Sequence, residues 1–188
     1  MDGAKLAVID KATAALERWG ALHDGSVQLI NNFGNVLQRL PALAQPRNYD
    51  GLASPQKLQA AVQAAQALSL NNVLTRLHAI MDDLGAVVRQ QERFALDAAG
   101  ALGQNSDACL AGTPVSSTLA PAQMVEAIED AWFMCRDELC LKAAIVSELS
   151  PGMAPNEFEP LRQIFCACVN VGDGRPSVLA LRQAAACG

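Results

Sequence analysis

The chain has 188 residues, a net charge of −5 and a hydrophobic content of 51%, with two Trp, one Tyr and five Phe. A core of Leu, Ile, Val and Ala with few aromatics favours helices over strands. The charge is uneven: residues 1–100 hold nine Lys/Arg and nine Asp/Glu, and residues 101–188 hold five and ten. No basic patch of the kind a polyanion binder carries is visible, which argues against direct nucleic-acid binding.

The first predicted helix covers residues 4–40. Ile9, Ala12, Leu16, Trp19, His23, Ser26, Ile30, Phe33, Leu37 and Leu40 recur at alternating steps of three and four. Such steps keep side chains on one stripe of a helix. Gly20, Gly25 and Gly34 interrupt it, each costing roughly 1 kcal/mol relative to Ala in a helix interior. They allow a kink near Gly20 to Gly25, or the close approach of another backbone. Pro41 is expected to end the helix. Residues 41–54 read as a connector rich in Pro, Asn, Asp and Gly, with Tyr49 pinning it to a helix pair.

Ser54-Pro55 is a helix start, with Ser at the N-cap and Pro in the first turn. Helix is predicted from Pro55 to about Gly100. Gln59 to Ala67 is an Ala/Gln tract with high propensity and little to bury. Leu70, Val73, Leu77, Ile80, Leu84, Val87, Gln91 and Phe94 then form the clearest stripe of the chain. Its steps average about 3.5 residues, the coiled-coil seam period. A helix with one apolar stripe is not stable alone in water, so this one must bury its stripe on other helices.

Residues 101–118 are small and polar and read as a flexible linker. Thr118 and Pro121 open a third helix, with Val125, Ile128, Trp132, Cys135, Leu139, Lys142, Val146 and Leu149 as its core stripe. Ser150-Pro151-Gly152 stops it. A shorter helix is expected from Pro155 to Val171, with Phe158, Leu161, Phe165 and either Cys168 or Val169 inward. Gly172-Asp173-Gly174 reads as a turn, and residues 172–188 as a tail with a short terminal helix from Ser177 to Ala186. The fold class is therefore all-α: an elongated antiparallel helical bundle or coiled-coil hairpin of three long helices plus short C-terminal helices. Residues 1–171 are read as one helical domain.

Candidate chemistry is sparse. On a helix, Cys135 and Cys140 point about 140° apart and Cys166 and Cys168 about 200° apart, unlike the Cys-x-x-Cys knuckles of structural zinc. The six cysteines, which include Cys109 and Cys187, read as reduced thiols rather than a disulfide framework. His23 and His78 read as packed or flanking residues. Asp82-Asp83 and Glu129-Asp130 diverge by about 100° as helix neighbours and do not form joint carboxylate sites. No phosphate loop, nucleophile elbow or His-Glu-x-x-His pattern is present. No enzyme activity, metal or cofactor is expected, and no run of apolar residues suits a membrane span. The N-terminus lacks the basic-then-apolar layout of a signal peptide. These features predict a reducing compartment, cytoplasm or nucleus.

One surface stands apart. On the third helix, Glu126, Asp130, Phe133 and Asp137, flanked by Glu129, fall opposite the core stripe. An aromatic exposed among acids is the expected partner-binding site. Trp132, one residue away, is assigned to the core, so the two aromatics are expected to have different jobs.

The order of these elements carries a resemblance. Met124-Val125-Glu126-Ala127-Ile128-Glu129-Asp130, Leu139 through Leu149, the Pro/Gly break and the short helix from Glu157 to Phe165 resemble the C-terminal half of the AAA-ATPase-interacting ribosome maturation factors. The helix through Trp19, the connector near Tyr49-Asp50 and the long helix after Pro55 are similar to the earlier part, so that residues 10–168 are covered. The resemblance implies a helical adaptor that works with an AAA ATPase of the valosin-like type. A small helical co-adaptor, also known as a cyclin-dependent-kinase-interacting protein, would be its second partner. The implied complex releases a maturation factor from cytoplasmic precursors of the large ribosomal subunit, so the pre-ribosomal particle is an indirect partner. Periodicity alone equally fits a structural coiled-coil subunit of a tethering or cytoskeletal assembly.

Overall fold

The structure is a computed structural model, described here for residues 3–104, 120–172 and 176–186. It contains five helices among those residues: α1 (Gly3–Leu43), α2 (Pro55–Gln104), α3 (Pro121–Glu148), α4 (Pro155–Ala167) and α5 (Pro176–Ala186), with a 3₁₀ turn at Pro46–Tyr49. No strand occurs among the described residues. The all-α class follows from the apolar stripes. Ile9, Ala12, Leu16, Trp19, Ser26, Ile30, Phe33 and Leu37 are buried on α1, and Leu70, Leu77, Leu84, Val87 and Gln91 on α2.

The chain forms two compact units. The first comprises residues 1–22, 83–140 and 168–188. Its core is built from Ile9, Leu16 and Trp19 of α1, Leu84, Val87 and Val88 of α2, and Ile128, Met134 and Cys135 of α3, with Val178 and Leu181 of α5 added. Helix α2 meets α3 near Gly85, where a Cβ would lie at ordinary contact distance, 3.9 Å, from Leu139 Cδ2. Gln91, the one polar residue of the α2 stripe, turns its Nε2 donor onto the Ala12 carbonyl at 3.1 Å. That contact ties α2 to the backbone of α1.

The second unit comprises residues 23–82 and 141–167. Ile30, Phe33 and Leu37 of α1, Leu70, Leu77 and Met81 of α2, Ile145 and Val146 of α3, and Phe158 and Phe165 of α4 are its core. Gly34 has a positive role here. The Phe158 ring packs over it, 5.5 Å from Phe33 by centroids. A Cβ at Gly34 would lie 2.5 Å from Phe158 Cε1. Close approach, rather than a break, explains this glycine. Helix α1 is continuous through Gly20 and Gly25 as well.

Several boundaries depart from the expectations. Pro41 lies inside α1, which runs on to Leu43. The reason is a dense C-terminal cap. Asn48 Nδ2 donates to Ala42 O at 2.6 Å, Tyr49 Oη to Leu43 O at 2.9 Å, and Gln59 Nε2 to Ala44 O at 2.8 Å. These donors satisfy carbonyls that a helix end otherwise leaves to water. Tyr49 thus pins the connector to the end of α1. Helix α2 passes Gly100 and ends at Gln104, so residues 101–104 of the expected linker are helical and 105–118 lie outside the described residues.

Helix α3 starts with Pro121 at its first turn, and Gln123 Oε1 accepts from the Ala120 amide at 3.0 Å. Helix α4 starts the same way: Pro155 leads and Glu157 Oε2 accepts from Ala154 N at 3.2 Å. Both are the backward half of a capping box. Helix α4 ends at Ala167 rather than Val171, because Cys168 adopts φ +48°. That left-handed conformation cannot continue a right-handed helix. Val169 is consequently exposed and Cys168 half-buried. The expected turn at Gly172-Asp173-Gly174 falls largely outside the described residues.

Candidate functional site

The exposed face of α3 is built from its own spacing. Met124, Ala127, Ile128, Ala131, Met134, Cys135 and Glu138 are the buried stripe in the first unit. Ala127 and Ala131, nearly without side chains, let α3 pack closely, so the stripe centres one position earlier than the large residues suggest. This overturns the assignment of Trp132 to the core: it is only half-buried. Phe133 is 40% exposed. The two rings stack on each other, 4.6 Å apart and tilted by 27°. Sequence spacing gave them separate faces, but neighbouring large side chains on an exposed edge gain more by covering each other than by standing apart.

Arg136 completes the cluster. Its guanidinium lies 4.8 Å from the Phe133 ring centre and 5.8 Å from that of Trp132. It also reaches Asp137, with Nη2 2.9 Å and Nε 3.1 Å from Oδ1. Glu126, Asp130 and Asp137 are exposed and Glu129 half-buried. The structure thus brings all five expected residues, Glu126, Glu129, Asp130, Phe133 and Asp137, onto the outward part of one helix. It adds Trp132 and Arg136, which sequence spacing had left out. A cation over an exposed ring contributes about 0.5–1 kcal/mol, and an exposed ion pair about 0.2–1 kcal/mol. Such a cluster orders its side chains without committing the surface to the core.

Other polar groups serve packing. In the first unit, the fully buried Glu138 accepts from Asn170 N at 2.9 Å and Asn170 Nδ2 at 3.1 Å through Oε2. This fixes the residues after α4 against α3. Burial pushes the Cys135 thiol up from 9.0 to about 12, with Cys168 and Glu138 adding to the effect. In the second unit, the fully buried Lys142 donates Nζ to Phe165 O and sits 4.1 Å from the Phe165 ring centre. It caps a carbonyl in the last turn of α4, where a cation is favourable. Arg162 donates to Glu159 and, at 3.0 Å, to Asn31 Oδ1, joining α4 to α1. Hydrogen bonds from Arg162 and Gln163 hold the Glu159 carboxyl down to about 2, and the same pairing raises Arg162. Burial also raises the Cys166 thiol.

Sequence reasoning placed Lys142 in the stripe and missed Glu138. The available signal was two opposite charges four residues apart on one helical stripe. His78 is exposed, with Nδ1 2.8 Å from Leu74 O, and Asp82 and Asp83 are exposed as well. Cys135, Cys140, Cys166 and Cys168 are not in disulfides, and Cys109 and Cys187 lie outside the described residues. Among the described residues, no group of three or more His, Cys, Asp or Glu is placed to hold a metal. No described helix is long and apolar enough to cross a membrane.

Residues 5–173 match the model of the CA109-like family, described as ribosome biogenesis protein C1orf109-like. The chain belongs to this family. The match runs from α1 to beyond α4, so the second unit and the α3 face lie within the C1orf109-like region, while α5 of the first unit lies beyond it. Comparison with individual curated proteins gives no match. The C1orf109-like assignment gives the chain a role in ribosome biogenesis.

Proposed function

We propose that this C1orf109-like chain is a non-enzymatic helical adaptor of an AAA-ATPase complex that matures cytoplasmic precursors of the large ribosomal subunit. The observation that carries the reading is the α3 face. Its stacked Trp132 and Phe133 are outward, held by Arg136 and surrounded by carboxylates. Exposed aromatic anchors of this type dominate the energy of protein interfaces. The buried Gln91, Glu138 and Lys142 are used as ties between chain segments, which suits a scaffold more than a catalyst. The valosin-like ATPase and the small helical co-adaptor are the proposed direct partners, with the pre-ribosomal particle engaged through them in cytoplasm and nucleus.

The test is affinity purification of the full chain beside Phe133→Ala. The wild type should recover the ATPase and large-subunit precursors. The variant should keep its melting temperature and lose the ATPase. Recovery of neither ATPase nor precursors by the wild type would sink the assignment. A structural subunit of a tethering or cytoskeletal coiled-coil assembly is the second reading. Leu58 and Leu68, exposed on the first half of α2, favour it as a further helix-packing edge. Co-purified partners distinguish the two.

A further inference from the structure

We infer that the occupant of the α3 face is a basic peptide segment, whose Lys or Arg side chains sit on the Trp132–Phe133 stack while an apolar residue covers the Phe133 edge. This rests on reading the face as a docking site and specifies its partner's chemistry. Three observations lead to it.

The first is charge. Between residues 126 and 137 the helix carries Glu126, Glu129, Asp130 and Asp137 against Arg136 alone. An acidic segment or a nucleic-acid backbone approaching this surface meets repulsion, while a basic one is steered in. The second is the ring pair. Stacked aromatics present a negative π face to a cation. Arg136 already occupies such a position, with its guanidinium 4.8 Å from the Phe133 centre. The chain's own side chain demonstrates what the rings accept. The third is exposure. Phe133 keeps 40% of its surface in solvent despite the stack, so an apolar contact is left for a partner to make. Acids set the sign, rings set the geometry, and the exposed edge supplies the apolar anchor.

The chain contains its own reporters. Of its two tryptophans, Trp132 lies on the face and Trp19 is buried at 2% exposure in the core of the same unit. Full-length protein labelled with 5-fluorotryptophan gives one ¹⁹F resonance for each, assigned with Trp132→Phe. The probes are three helical peptides with leucine at the seam positions and lysine, glutamine or glutamate elsewhere, and a single-stranded RNA oligonucleotide. The lysine peptide should shift the Trp132 resonance, leave Trp19 in place and bind less well as salt rises. The glutamate peptide and the RNA should leave both resonances unchanged. Phe133→Ala should weaken the lysine peptide at least about tenfold. Glu126→Lys/Glu129→Lys should invert the ranking of the lysine and glutamate peptides. Arg136→Ala frees a ring face and removes a positive charge, so it should tighten the lysine peptide by about two- to fivefold.

Equal binding of the lysine and glutamate peptides, a Trp132 shift with RNA, or weaker binding by Arg136→Ala would each overturn the inference. The ATPase purification separates this failure from failure of the docking reading. If Phe133→Ala loses the ATPase and Glu126→Lys/Glu129→Lys keeps it, the face docks a partner of other chemistry. If Phe133→Ala keeps the ATPase, the docking reading itself falls.

Discussion

The two halves of α2 are both helical, and they are held for different reasons. From Pro55 to Ser69 no residue is buried, and Leu58 and Leu68 keep 43% and 61% of their surface. From Leu70 to Ala95 the stripe is largely buried: Leu70, Leu77, Leu84 and Val87 are fully buried, joined by Met81, Val88 and Ala95, while Val73, Ile80 and Phe94 are half-buried. The first half is rich in Ala and Gln, which lose little on entering a helix. Propensity alone does not nucleate a short helix in water. The exposed half therefore depends on the packed half continuing into it, on the Ser54 carbonyl accepting from Leu58 N at 3.0 Å, and on Gln59 tying it to the end of α1. Helix formation and burial are separate properties of a sequence. Propensity governs the first, and apolar period governs the second.

The comparison is most sharply broken by charge. Leu77→Asp puts an uncompensated carboxylate at a fully buried position of the stripe, a very costly burial, and should abolish cooperative thermal unfolding. Leu68→Asp, nine residues earlier on the same helix, should leave the melting temperature nearly unchanged. Equal destabilisation by both would show that the first half is also packed.

A second pair asks whether burial rather than residue type sets the cost. Trp19→Ala empties a filled core site and should destabilise by about 3–5 kcal/mol. Trp132→Ala removes a half-buried ring and should cost clearly less. Denaturant unfolding of the two variants decides it, and a larger cost at Trp132 would mean that the α3 face is internal.

Within the exposed half, Ala65→Gly should cost roughly 1 kcal/mol through helix propensity alone. Calorimetry on the variant checks this, and no cost at all would mean that the tract is not helical in solution. The smallest effect is electrostatic. The Glu159 carboxyl is held at about 2 against an ordinary 4.5. A depressed folded value means that its contribution is present above pH 4.5 and is lost as pH falls towards 2. The melting temperature of Glu159→Gln should therefore lie slightly below that of the wild type at pH 7, and the gap should close on acidification. A gap that widens in acid would contradict the Arg162 pairing.

Much of this architecture was readable from spacing. The α1 and α2 stripes need only a 3.5-residue period, and burial follows it at most positions from Ile9 to Leu37 and from Leu70 to Gln91, with His23, Val73 and Ile80 half-buried. The outward position of Glu126, Asp130, Phe133 and Asp137 was readable in the same way, because residues at steps of three and four share a face. Trp132 falls on the alternating three/four spacing yet is only half-buried. Ala127 and Ala131 fill the seam instead, and small residues give no apolar signal of their own.

The sequence by itself determined where the helices, their apolar stripes and the acidic, aromatic face of α3 fall, since all three are set by the spacing of residues near in the chain. Tertiary structure decided what distant partners control. Helix α1 passes Pro41 because Tyr49 and Asn48 cap its carbonyls. Gly34 is needed because Phe158 packs over it. Gln91 is tolerated in an apolar stripe because Ala12, 79 residues away in the chain, accepts its hydrogen bond. Glu138 is buried because Asn170 supplies two donors. A buried polar group is favourable only where its partner stands, and local periodicity carries no information about partners that folding alone brings together.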